Sequence, residues 1–153
     1  MAESLTPKQV ELIKNSWDIC KADLKKTGLA MFFKLFELAP YLQALFPFAE
    51  EELSENSESF QKHALQVMET VDTAVTLILA NDISTLEGAL IDLGMVHNFK
   101  NVKPEHFAPV GQALLHGLSV TVGQEFTAEV KTAWVVLFGF VQSKMEEGMV
   151  EDI

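Results

Sequence analysis

Phe60, Ala64, Val67, Val71, Ala74 and Ile78 return at intervals of three and four residues. That is the period of an α-helix, and it places all six on one stripe of a helix predicted over about 57–80. A stripe this long and apolar must be covered by other elements, so the rest of the chain has to supply an opposing surface. It does so with more helices. Thr6-Pro7-Lys8-Gln9 combines an N-cap, a proline at the first helical position and a capping-box glutamine. Val10, Ile13, Trp17 and Cys20 follow at helical spacing. A second, phenylalanine-rich helix is predicted over about Leu24–Leu38, and Pro40 restarts the chain as a short helix. The acidic run Ala49–Ser59 reads as a loop. Ser84-Thr85-Leu86-Glu87 reads as a second capping box, opening a helix to about Phe99. Pro104 starts the next helix, to about Val122. Gly123–Thr127 is a turn with Thr127 as N-cap, and the last helix runs to about Gly148. Trp134–Val141 could be a buried strand in isolation, but it lies inside a helical segment.

The expectation is therefore an all-α chain forming a single domain over residues 1–153, with 1–5 and 149–153 as flexible tails. Of its 153 residues 48% are hydrophobic, enough for one sizeable core. The net charge of −11 opposes binding to nucleic acid or anionic membrane. No apolar run reaches membrane-spanning length. The start Met1–Val10 lacks a signal-peptide pattern, and Ala2 excludes N-myristoylation. The lone Cys20 excludes an intramolecular disulfide and is expected on the inward stripe of the first helix. These features predict a cytoplasmic protein.

Two histidines interrupt this pattern. His63 lies on the shoulder of the long stripe, roughly 60° from its centre by helix geometry. His97 falls near the middle of the Leu86, Leu90, Leu93 stripe on the following helix. Each taken alone reads as a core histidine satisfied by a hydrogen bond. Taken together, one sits near the start of its helix and the other near the end of the next, a placement an antiparallel hairpin brings to one level. Two imidazoles facing an apolar slot suit a borderline metal. Zinc lacks a third and fourth ligand here. Iron in a planar macrocycle needs one or two axial ligands, and an apolar slot would hold the ring. His106, in a first helical turn, fits a solvated or capping role, and His116 lies on a mixed face.

Trp17, Pro40 with Phe46, His63 with Val67, the sequence Leu93–His97, Val102, Phe107 and Trp134, in that order, resemble the globin family over about residues 5–147. Within it, Ser16–Lys21, Leu35–Phe46, Phe60–Val75, Leu86–Gly94 and Lys131–Gly139 are similar to neuroglobins. The resemblance implies a globin fold of six to eight helices in a three-over-three sandwich around haem b, iron protoporphyrin IX. It implies His97 as the proximal iron ligand. It implies His63 as either a distal hydrogen-bond donor to dioxygen or the sixth iron ligand, as is typical of neuroglobins. Phe46 would stack on the porphyrin. Phe32, Val67, Val110 and Phe107 would form the distal wall, and Leu93, Val102, Phe138 and Val141 the proximal side and haem edge. The implied ligands are dioxygen, carbon monoxide and nitric oxide, with an electron-donor protein as a further partner and a monomer or weak dimer as the assembly. Enzymatic nitric oxide dioxygenation or nitrite reduction with an external reductase is the alternative, and a haem-free helical interaction module is a third. Gln66, Met95 and Val96 depart from the family by replacing basic residues that often meet the haem propionates, with Lys62, Lys100 and Lys103 as substitutes. Phe138 stands where tyrosine is common.

Overall fold

A computed structural model describes residues 5–45, 58–99 and 103–150; within these, the side chains of 43–45, 97–99, 104 and 150 lie outside the description. The described residues form six α-helices and no strand: α1 (Pro7–Lys21), α2 (Leu24–Leu38), α3 (Glu58–Leu79), α4 (Ile83–Phe99), α5 (Phe107–Val122) and α6 (Ala128–Val150). Short 3-10 turns at Pro40–Leu45, Pro104–His106 and Gly123–Glu125 precede or join them. One layer holds α1, α3 and α4, and the other holds α2, α5 and α6. Across the layers α2 packs on α3, α1 on α6 and α4 on α6, while α3 touches α4 only lightly. This is the expected three-over-three arrangement.

Local chemistry accounts for the helix ends. Thr6 Oγ1 accepts from the Gln9 N–H at 3.1 Å, and Gln9 Oε1 accepts from the Thr6 N–H at 3.1 Å, so the capping box forms as read. Asp23 caps α2 by accepting from the Lys26 N–H at 3.1 Å. Thr127 caps α6 through the Val130 N–H at 3.3 Å. The second capping box does not form as expected. α4 begins at Ile83, so Ser84 already lies inside its first turn. The preceding turn explains the difference. Asn81 adopts a left-handed conformation with φ 57°, which asparagine tolerates better than most residues. The Asn81 N–H then donates to the Ile78 carbonyl (3.0 Å) and the Asp82 N–H to the Leu77 carbonyl (2.9 Å), closing α3 and fixing where α4 starts. The last helix extends to Val150 rather than Gly148. Leu5 and Met149, expected in flexible tails, are buried.

The buried face of α3 comprises Phe60, Ala64, Met68, Ala74, Val75 and Ile78. Its centre is rotated roughly 20° from the sequence-read stripe, toward Met68 and Val75. Val67 and Val71, expected at the centre, are half-buried. In the interior, Trp17 and Trp134 pack with ring centroids 5.9 Å apart. Each buried indole finds an acceptor: Trp17 Nε1 donates to Asp72 Oδ1 at 2.8 Å, and Trp134 Nε1 to Ser16 Oγ at 2.9 Å. Ser16 in turn donates to the Leu12 carbonyl at 2.8 Å. Ser16→Ala therefore leaves the Trp134 N–H unpaired in the core. We expect a loss of about 1–3 kcal/mol of folding stability, read as a lower urea midpoint at unchanged slope. A midpoint equal to the parent's would show that the bond contributes nothing.

Cys20 is fully buried, as its place on the α1 stripe predicts. Burial pushes its thiol up to about 11, only partly offset by a hydrogen bond with Thr27. Above the ordinary thiol value of 9.0 an unfolded chain gives up this proton while the folded chain keeps it until about 11. Stability from this group is thus intact below pH 9 and falls as pH rises through that window. At pH 8 the folded protein is expected to leave a disulfide reagent such as DTNB unreacted and to consume one equivalent on unfolding. Fast labelling of the folded chain would contradict the burial.

Candidate functional site

The site grows from the crossing of α2 and α3. A Cβ added at Gly28 would lie 3.0 Å from the Ala64 carbonyl oxygen and 3.1 Å from its Cβ. Glycine at 28 therefore lets the two backbones come close. Ala64 neighbours His63, and one turn along α2 from Gly28 is Phe32. The two rings meet edge to face, centroids 5.5 Å apart at 70°. Phe32 is itself buried and held by aromatic neighbours, Phe36 at 6.0 Å and Phe60 at 6.2 Å. Phe60 also receives Phe33, at 5.1 Å. His63 thus stands against an aromatic wall.

His63, Val67 and Val71 are spaced by four, so they form one row along α3 beside its fully buried face. All three are half-buried. The other candidates show the same intermediate burial on separate helices: Leu93 on α4, Val110 on α5, and Phe138 and Val141 on α6. Each of these apolar side chains rests on the core cluster. Phe32 and Phe107 are fully buried. His97 lies in the last turn of α4, with its side chain outside the description. Phe46 and Val102 lie outside the described residues.

The polar candidates sort as their positions suggest. His106 Nδ1 accepts from the Lys103 N–H at 3.0 Å, a local bond that does not cap α5, and its ring lies 6.2 Å from that of Tyr41. His116 is exposed. Gln66, Met95 and Val96 are exposed, as are the lysines Lys62 and Lys103; Lys100 lies outside the described residues.

The donor set limits the metal chemistry. Among the described residues no group of three or more His, Cys, Asp or Glu could hold a metal ion. Cys20 is a protonated thiol in the core, not a ligand. The His63 imidazole, bordered by Phe32, could offer one axial nitrogen beside an apolar wall. That set fits a metal whose equatorial positions are filled by a macrocycle. Phe60 was legible in the sequence as stripe, but not as part of this wall. The signal available was the density of phenylalanine in both α2 and α3. No helix among the described residues is long and apolar enough to cross a membrane.

Residues 29–145 match the protein-family model described as Globin. Neuroglobin of Tetraodon nigroviridis is 35% identical over 154 residues, covering 98% of this chain and 96% of that protein. Neuroglobin of Dissostichus mawsoni is likewise 35% identical over 154 residues, at 98% and 96% coverage. Among solved structures, a hexacoordinated heme protein from an anhydrobiotic tardigrade, crystallised at pH 4, superposes with a TM-score of 0.87 at 23% identity, covering 95% of this chain and 96% of that one. That likeness concerns the fold.

Proposed function

The chain belongs to the globin family, and from that premise we propose that it binds haem b between α3 and α4, with His97 as proximal and His63 as distal ligand. Globin membership implies haem binding. The observation that carries the assignment of His63 is its half-buried place against Phe32 in an otherwise apolar row. When bound, the haem iron supplies a reversible site for dioxygen, carbon monoxide or nitric oxide. The chain's own residues set the terms of that site. With haem bound, Phe32, Val67, Val110 and Phe107 would exclude water from the distal side, and Leu93, Phe138, Val141 and Val102, the last outside the described residues, would cover the proximal side and haem edge. Phe46, outside the described residues, would be the residue to stack on the ring face. Lys62 and Lys103, both exposed, would be the cations available to the haem carboxylates.

His63 carries one lone pair and one N–H. It serves as an axial ligand through the first or as a hydrogen-bond donor through the second. The likeness to neuroglobins supports the first use in the absence of an external ligand. A histidine that must leave before a gas can enter lowers apparent affinity by the fraction of open protein. That suits a sensing, scavenging or redox role in the cytoplasm better than bulk carriage. The test is the visible spectrum of the purified protein. A Soret band with the split visible bands of low-spin, six-coordinate ferrous iron is expected. A colourless protein that takes up no added haemin would instead leave a haem-free helical module.

A further inference from the structure

Just before the last turn of α4, which carries His97, the α4 backbone lies directly against the backbone of α6. A Cβ added at Gly94 would lie 1.9 Å from the Met145 carbonyl oxygen and 2.7 Å from its carbonyl carbon. A Cβ added at Gly148 would lie 1.9 Å from the Ile91 carbonyl oxygen. The contact is reciprocal: each helix places a glycine against a carbonyl of the other. A flexible side chain could rotate out of such a contact, but a helix carbonyl cannot, because it is held in its own hydrogen bond. Further along the same interface Lys144, half-buried on α6, reaches Glu87 of α4 at 3.6 Å and Glu147 at 2.9 Å. On the other side of the last turn Met95 and Val96 are exposed. Its position is therefore set from the α6 side. We propose that Gly94 and Gly148 are positioning residues for His97, fixing the depth at which α4 presents its proximal ligand and so the balance between six- and five-coordinate iron.

The proposal rests on the reading of His97 as the iron ligand. The two glycines meet the opposite helix: Gly94 the backbone of Met145, and Gly148 the carbonyl of Ile91. They act through the backbone of the helical segment that leads into His97. Gly94→Ala and Gly148→Ala would each force the helices apart by more than about 1 Å, since real Cβ contacts are not found below 3.0 Å. The α4 backbone, and His97 with it, then moves away from α6. A displacement of about 1 Å at a reacting position changes rates by up to about 100-fold.

Two other glycines on the same helices are the controls. A Cβ at Gly88 of α4 or at Gly139 of α6 meets nothing within 4 Å. The experiment compares all four alanine variants, with His97→Ala beside them, by Soret and visible spectra, carbon monoxide association rate and far-ultraviolet circular dichroism. Gly94→Ala and Gly148→Ala are expected to keep their helix content, to shift the six- to five-coordinate ratio and to change the association rate by at least about tenfold. Gly88→Ala and Gly139→Ala are expected to match the parent. Parental spectra and rates in both tight-glycine variants, with His97→Ala disrupted, would overturn the positioning role while sparing the ligand assignment. An unchanged spectrum in His97→Ala would instead remove the reading beneath it. If both tight-glycine variants fail to fold, native-state hydrogen exchange of the unaltered protein decides. Amides at 94–97 protected like the buried parts of α5 and α6 would support a fixed seat, and early exchange there would overturn it.

Discussion

His97→Ala is expected to lose most of its haem. The variant keeps the apolar walls but not the proximal nitrogen. Removing even an outer partner of a metal-ligating histidine costs about 10–100-fold in affinity, so loss of the ligand itself should exceed about 100-fold. The measurement is haem transfer from the variant to an excess of a scavenging globin, alongside the ratio of Soret to protein absorbance. Added imidazole should restore part of the spectrum by refilling the vacated position. Parental haem retention with an unchanged spectrum would mean that another residue holds the iron.

His63→Leu acts on the other side. Leucine keeps the bulk of an apolar row on α3 but has no nitrogen. If His63 closes the distal position, the ferrous variant becomes five-coordinate and high-spin, and carbon monoxide enters without waiting. With a closed fraction of about 90–99%, the association rate should rise by about 10- to 100-fold. The unaltered protein should also lose its six-coordinate spectrum as pH falls, because proton and iron compete for one nitrogen. Should the parent ferrous protein already be high-spin, His63 would keep its role as distal gate and hydrogen-bond donor. Storage or transport of dioxygen would then become the better account.

Much of the architecture could be read before any coordinates. Thr6 with Gln9, and Thr127 before α6, mark helix starts because their side chains bond only to nearby amides. Where local chemistry had a competitor, the reading slipped. The pattern Ser84–Glu87 has the form of a capping box, but the left-handed Asn81 closes α3 and starts α4 at Ile83. Met68 and Val75 escaped the predicted stripe because a period alone allows several neighbouring centres; the Gly28 crossing and the tryptophan pair select one. His63 was legible because an imidazole beside so apolar a stripe is out of place unless it has work. Its aromatic wall was less so, since Phe32 and Phe60 are distant in sequence and become neighbours only when α2 and α3 cross. Gly94 and Gly148 carried no warning at all. A glycine inside a helix registers locally as a loss of helix propensity, and its reason lies on the other helix.

The turn at Ala80–Asp82 also gives the two histidines a lever. His63 stands about 24 Å from it along α3, and His97 about 21 Å from it along α4, at 1.5 Å per residue. The pivot is tied by three backbone hydrogen bonds, from the N–H groups of Ala80, Asn81 and Asp82. A tilt of about 5° there carries the His63 turn about 2 Å, roughly the length of an iron–nitrogen bond. Such a swing slides few side chains of α3 past α4, and the close approach of Ala64 to Gly28 on α2 is what it works against. A short motion at the closed end of the pair thus becomes a whole bond length at its open end.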